Sequence, residues 1–200
     1  MDKLKASALL VVITIIASGT FFSKQKPAYG CLTDPCPAEW DGRLISNLSS
    51  GKCIDVAGAP GSANGARLLL WDCERSGRNR DNGSPTDHIW VIENGLIVNK
   101  LSGKCIDVAG APGSTNGAPL QLWDCERSGR NRDNGSTTDQ RWVVTSQGFI
   151  RNRLSGKCID VAGAPGSTNG AQLQLWDCEL SGRNRDNASI TDQRWRLDGI

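Results

Sequence analysis

An all-β domain of about twelve short strands, arranged as one unit copied three times, is what this chain of 200 residues predicts. Two observations carry the expectation. The segment SGKCIDVAGAPGS begins at Ser50, Ser102 and Ser155, and LWDCE begins at Leu70, Leu122 and Leu175, a period of 52 to 53 residues. No part of this repeated region shows apolar residues at helical spacing, whereas short β-branched runs separated by Gly, Pro and Asn recur throughout.

Each copy offers the same elements in order. A run Gly-Lys-Cys-Ile-Asp-Val leads into a Gly/Pro/Asn loop, a second run ends in Trp-Asp-Cys, and after a long polar loop a third run starts at Trp90, Trp142 or Trp195. A fourth follows as Leu96–Asn99 and Phe149–Asn152. The third copy stops where its fourth run would begin, and Leu44–Asn47 supplies an equivalent run ahead of the first copy. That N-terminal strand is expected to close the ring, because an open sheet of such strands would expose its edges.

The formal charge of +2, with Lys and Arg interleaved among Asp and Glu, lacks the basic run of a nucleic-acid binder. Lys3 and Lys5 flank the start of a mostly apolar stretch from Ala6 to Ala17, followed by Ser18 and Gly19, the pattern of an export signal. The expected organisation is a signal peptide over residues 1–20, a linker over 21–39, and one domain over 40–200 with repeats at about 48–98, 100–151 and 153–200. Cleavage is expected between Thr20 and Cys31. An anchor extended by Phe21 and Phe22 is the competing reading, but the stretch is shorter than the roughly 20 residues that span a bilayer. A lipid on Cys31 is a weaker alternative, since Ala28, Tyr29 and Gly30 match such a signal poorly.

Eight cysteines in an exported chain imply disulfides. Cys53 and Cys73, Cys105 and Cys125, and Cys158 and Cys178 are each 20 positions apart, which leaves Cys31 with Cys36. One bridge per copy is the simplest connectivity, and closing such a loop stabilises the fold by roughly 3 kcal/mol in the chain-entropy model. Zinc would want close cysteine pairs and histidine partners, and the chain has one histidine. Neither a metal nor an organic cofactor is expected.

The Cys-Ile-Asp-Val strand, the Gln-Leu-Trp-Asp-Cys strand and the Gln-x-Trp run, with some drift in the first copy, resemble the ricin B-type lectin family. The resemblance covers about Trp40 to Ile200 and implies a β-trefoil, a six-stranded barrel capped by three hairpins. It also implies sugar pockets. A sugar ring needs an aromatic face for its C–H side and fixed polar groups for adjacent hydroxyls. In family terms Asp55, Asp107 and Asp160 accept bonds from those hydroxyls, and Trp71, Trp123 and Trp176 form stacking platforms. Gln121 and Gln174 line two pockets, where the first copy has Leu69. The family's Asn-Gln pair becomes Asp139-Gln140, Asp192-Gln193 and Asp87-His88; Asp keeps an acceptor and loses the amide donor. The first-copy set of Asp55, Trp71, Asp87 and His88 is therefore the doubtful one.

Structural roles compete with each assignment. Trp90, Trp142 and Trp195 are expected in the core, because the family packs that tryptophan inside. Trp71, Trp123 and Trp176 could merely cover a bridge, and the repeated Asp residues could cap turns. His88 has no Ser or Cys nucleophile partner in any recurring motif. Asp72 and Glu74 could be proposed as an acid/base pair for glycoside hydrolysis, but their threefold repetition points to solvent-exposed side chains.

Between Cys and the third-run Trp each copy carries a step of 17 positions (73 to 90, 125 to 142, 178 to 195), with SGRNRDN as surplus over the usual family length. A self-satisfied turn is the plain reading. A calcium loop drawing on Asp81, Asn82 and Asp87 is disfavoured by Arg78 and Arg80, and Arg78, Arg130 and Arg183 could instead reach an acidic saccharide. Asn47, Asn82, Asn134 and Asn187 begin Asn-x-Ser sequons.

The expected function is a secreted, monomeric, non-catalytic lectin that binds glycans multivalently, with no nucleic-acid partner and no membrane insertion after signal cleavage. A Kunitz-type β-trefoil protease inhibitor is the alternative from another class, and an inert structural or matrix protein is the third.

Overall fold

A computed structural model describes residues 42–199 apart from 59, 111 and 164. The signal segment, the linker with Cys31 and Cys36, and Trp40 lie outside the described residues. Twelve strands follow one another in chain order: β1 (Arg43–Asn47), β2 (Cys53–Val56), β3 (Leu68–Trp71), β4 (Ile89–Glu93), β5 (Leu96–Asn99), β6 (Cys105–Val108), β7 (Leu120–Trp123), β8 (Trp142–Val144), β9 (Ile150–Asn152), β10 (Cys158–Val161), β11 (Leu173–Trp176) and β12 (Trp195–Asp198).

Six of these strands form a closed antiparallel barrel. β1 pairs β4 through Leu44 and Ile89, β4 pairs β5 through Val91 and Val98, and β8 pairs β9 through Val143 and Arg151. The Trp142 N–H donates to the Gly95 carbonyl at 2.7 Å and joins β8 to the start of β5; Trp195 N–H to Gly148 carbonyl at 2.8 Å does the same for β12 and β9. The ring closes where β1 runs beside β12 over four residues, from Leu44 opposite Asp198 to Asn47 opposite Trp195. The expected closure is thus present, and it leaves the barrel no unpaired edge.

The remaining strands form three hairpins, β2–β3, β6–β7 and β10–β11, each in the same register: Ile54 with Leu70, Ile106 with Leu122, Ile159 with Leu175. Neighbouring hairpins are tied by backbone bonds at 2.8 to 2.9 Å, from Leu70 N–H to Ala171 carbonyl, Leu122 to Ala66 and Leu175 to Ala118. This is a β-trefoil.

Alternation along the strands decides what goes inside. Ile54 and Val56 on β2 and Leu68 and Leu70 on β3 point inward with their counterparts from the other copies, forming one buried cluster with Trp90, Trp142 and Trp195. Each such side chain contributes about 1.5–3 kcal/mol through burial. The three indoles sit in the core as expected and remain satisfied, their Nε1–H groups donating to the carbonyls of Ile54, Ile106 and Ile159 at 3.1 to 3.2 Å. A bridge joins Cys53 to Cys73, Cys105 to Cys125 and Cys158 to Cys178, one per copy.

Asn47, Asn99 and Asn152 end β1, β5 and β9, and all three are buried. Their amides donate to the carbonyls of Asp192, Asp87 and Asp139, each at 2.5 Å, while their Oδ1 atoms accept the N–H of Ser50, Ser102 and Ser155 at 3.0 Å. The Asn47 sequon is therefore committed inside the fold, whereas Asn82, Asn134 and Asn187 are exposed. More importantly, these amides anchor the backbone of the aspartates that build the candidate site.

Candidate functional site

Strand register brings the sequence-predicted residues together. Asp107 on β6 lies directly opposite Gln121 on β7, and Asp160 on β10 opposite Gln174 on β11. The Gln121 amide donates to Asp107 Oδ2 at 2.8 Å, and Gln174 does the same to Asp160 at 2.8 Å. Trp123 and Trp176 follow two residues along the same strands, on the same face as the glutamines, and both are partly exposed. Trp71 is 40% exposed.

Behind this surface lies a second polar layer. Gln140 Nε2 donates to Asp107 Oδ1 and to the Asp124 carbonyl, both at 3.1 Å, while its Oε1 accepts the Glu126 N–H at 2.8 Å. Gln193 repeats the pattern with Asp160, Asp177 and Glu179. Asp139 Oδ2 accepts the Gly113 N–H at 2.7 Å, as Asp192 does from Gly166. That contact needs glycine: a Cβ on Gly113 would fall 2.4 Å from Val108 Cγ1. Asp139, Gln140, Asp192 and Gln193 are all but fully buried, and Asp107 and Asp160 are themselves only 5% exposed, so the outer face of each set is left to the glutamine and the indole.

In the second layer each aspartate meets another. Asp139 has one carboxylate oxygen on Gly113 and the other, buried, with no donor, beside the Asp107 carboxyl; Asp192 stands likewise beside Asp160. Burial, reinforced by the Asp107 charge, pushes Asp139 up to about 7. Burial likewise pushes Asp160 up to about 7, with the Asp192 charge adding to it, and raises Asp107 and Asp192. In each pair the raised carboxyl holds its proton more readily than a free aspartate, and a protonated oxygen there can donate to its neighbour.

The first copy departs as its sequence implies. Leu69 stands opposite Asp55 and offers it no bond. His88, 1% exposed, takes the place of the second-layer glutamine: its Nδ1 accepts the Glu74 N–H at 3.3 Å and its Nε2 lies 2.8 Å from Asp55 Oδ1. An imidazole accepting at Nδ1 carries its proton on Nε2, so it donates to Asp55 as the glutamine amide does. Asp55, Asp87 and His88 each place a ligand atom within 4.8 Å of the others. This tautomer does not suit a metal, because Nε2 would have to present a lone pair while Nδ1–H faced the Glu74 N–H. Asp87 is pushed up to about 7 by burial, with the Asp55 charge adding to it.

The insertion folds back on itself. Asn79 N–H bonds the Ser84 carbonyl at 2.8 Å, the Asn79 side chain accepts the Asp81 and Asn82 N–H groups, and Arg78 Nη1 donates to the Gly83 carbonyl at 3.0 Å. Arg130 and Arg183 make the same bond to Gly135 and Ala188. Arg78, Arg130 and Arg183, the candidates for an acidic saccharide, are thus each bonded to a carbonyl of their own turn, and of the disfavoured calcium candidates Asp87 is buried on the Gly61 N–H. Glu74 corrects one expectation: it is buried, as are Glu126 and Glu179, and its Oε1 accepts the Arg80 N–H at 3.0 Å. The threefold repetition that was read as a sign of exposure instead reflects the same buried bond made in every copy, Glu126 and Glu179 accepting the Arg132 and Arg185 N–H groups. Asp72, by contrast, is half-exposed and bonds Lys52 at 2.5 Å.

The three outer indoles are approached by the neighbouring copy. A Cβ on Gly65 would lie 3.9 Å from Trp123 Cζ3, one on Gly117 3.8 Å from Trp176, and one on Gly170 3.8 Å from Trp71. All three glycines have φ between 80° and 85°, which fits the turn without a side chain. Asn64, Asn116 and Asn169 in the same turns donate to Asp124, Asp177 and Asp72 at 3.0 to 3.1 Å.

Comparison with known proteins agrees with this geometry. The family described as the Ricin-type beta-trefoil lectin domain matches over residues 37–131 and again over 93–199. Nigrin b of Sambucus nigra is 34% identical over 82 residues, 41% of this chain and 12% of that protein, so the chain spans only a small part of that relative. Among solved structures, the hemolytic lectin CEL-III superposes with a TM-score of 0.57 at 25% identity, over 81% of this chain and 31% of that one. The designed threefold symmetric protein ThreeFoil gives a TM-score of 0.56 at 21% identity, over 80% of this chain and 99% of that one. With the strand order, the core tryptophans and the repeated Asp, Gln and Trp set in place, this chain belongs to the ricin-type β-trefoil lectin domain family.

Proposed function

We propose that the protein is an exported, non-catalytic lectin that holds glycans through shallow pockets on its second and third copies. The observation that carries this reading is the partly exposed indole beside a pre-bonded Asp–Gln pair, Trp123 with Asp107 and Gln121, and Trp176 with Asp160 and Gln174. The indole offers a flat apolar face, Gln121 and Gln174 stand partly exposed beside it, and Asp107 and Asp160, each 5% exposed, lie directly beneath and hold those amides in place. Asp139, Gln140, Asp192 and Gln193 hold these groups from behind. The first copy, with Leu69 and His88, contributes a weaker pocket.

Export follows from the apolar segment within residues 1–20, and the binding domain spans 40–200 as a monomer. Single pockets of this shallow kind bind weakly, and retention comes from several engaging one glycan surface. A glycan array probed with the mature chain, followed by calorimetry on the retained sugars, tests the reading. Retention of a defined set of glycans is the expected result; no retention, together with inhibition of a protease, would point to the Kunitz-type alternative.

A further inference from the structure

The insertion creates a feature that the sugar pocket does not use. Between the turn at Gly51, the end of β3 at Asp72 and Cys73, and the loop residues Arg75, Ser76 and Arg80 lies an open cleft of about 540 Å³. The same cleft, about 520 Å³, recurs in the second copy with Arg127 and Arg132 in the places of Arg75 and Arg80. It starts one residue beyond the platform tryptophan.

Two arginines per cleft play different parts. Arg80 Nη2 donates to the Cys73 carbonyl at 3.2 Å and Arg132 Nη2 to the Cys125 carbonyl at 3.4 Å, which leans each guanidinium over its cleft while the Arg132 side chain stays 63% exposed. Arg75 and Arg127 stand at the lip, more than half exposed, and bond Asp198 and Glu93. Exposed pairs of this kind exchange partners at little cost. The acid on the wall, Asp72, is already engaged by Lys52 and Asn169, and its carboxyl is held below the usual range by them. The third copy puts Leu180, 63% exposed, where the lip arginine stands.

We infer that the clefts of the first and second copies bind the anionic group of an acidic saccharide, a carboxylate or a sulfate, which the third copy does not. The inference rests on the lectin reading. Two guanidinium groups, one leaning on the Cys carbonyl and one at the rim, suit two-point recognition of a planar carboxylate or a sulfate. It also relocates the acidic contact from Arg78, Arg130 and Arg183, whose guanidinium groups close the turn, to Arg75, Arg80, Arg127 and Arg132.

The test compares neutral glycans with their uronate-containing and sulfated counterparts on one array, using the mature chain. Acidic members should be retained about tenfold more strongly at low salt, with the gain lost near 0.5 M salt. The variant Arg75→Leu/Arg127→Leu reproduces the side chain that the third copy already accommodates. It should abolish the acidic preference and leave neutral binding unchanged, and Leu180→Arg should increase the preference. Whether carboxylate, sulfate or both show the gain identifies the group. Neutral binding without acidic preference, or a preference that survives Arg75→Leu/Arg127→Leu, overturns this inference alone; no retention of any glycan overturns it together with the lectin reading.

Discussion

The carboxyl of Asp139 lies against that of Asp107, one of its oxygens bound to the Gly113 N–H and the other buried without a donor of its own. Burial and the neighbouring charge favour the protonated form of this pair, and Asp160 with Asp192 repeats the situation.

Stability should therefore depend on pH in an unusual direction for aspartates. Asp87, Asp139 and Asp160 move from 3.8 to about 7 on folding, so the folded chain holds protons that the unfolded chain has released. The contribution is full below about 4 and is lost as pH rises through about 7. The melting temperature should be higher near pH 5 than near pH 8. In Asp139→Asn/Asp192→Asn, an amide can donate to Asp107 or Asp160 without a proton, so that variant should melt higher than the parent near pH 8 and show a flatter profile. Equal profiles for the two proteins would refute this account of the pairs.

Truncating the platforms should separate the copies. Trp123→Ala and Trp176→Ala are each expected to weaken glycan retention roughly tenfold, and Trp71→Ala less, since Asp55 faces Leu69. Calorimetry with the sugar identified on the array gives the comparison; equal losses at all three would mean that the first pocket is as good as the others.

His88 offers a reciprocal experiment. His88→Gln preserves both bonds and should leave the melting temperature nearly unchanged, whereas His88→Ala strands the Glu74 N–H and Asp55 Oδ1 and should cost about 2–4 kcal/mol. Adding Leu69→Gln to His88→Gln should bring Trp71 up to the standing of the other platforms. Chemical denaturation and the Trp71→Ala comparison in that background check the two halves.

The buried glutamates predict how the insertion is held. Glu126 Oε1 accepts the Arg132 N–H at 3.1 Å, and the Glu126 N–H supports Gln140. Glu126→Ala should speed amide exchange over residues 128–136 with little change in the core strands, and should lower stability by about 1–2 kcal/mol. Unchanged exchange in that loop would show that the Asn131 turn holds it unaided.

Much of the fold was legible because threefold repetition multiplies every local signal. The Cys spacing pointed to one bridge per copy, and the truncated third copy with the early strand at Leu44 pointed to the ring that β1 and β12 complete. The site was legible as a set of residue types and not as layers. Chain order could not tell that Gln121 and Trp123 face outward while Asp139 and Gln140 lie beneath, because that depends on how the long loop returns over β6. Glu74 was misjudged for a related reason: its surroundings come from loop backbone N–H groups, which carry no side-chain signature.

Each indole platform is backed by a turn belonging to a different copy, Trp123 by Gly65, Trp176 by Gly117 and Trp71 by Gly170. Each copy thus completes the surroundings of its neighbour's indole, and an isolated fifty-odd-residue unit would carry the same residues without that support. It follows that, even where Leu69 and His88 set the first copy's own residues apart, its Asn64 and Gly65 still stand against Asp124 and Trp123 of the second copy.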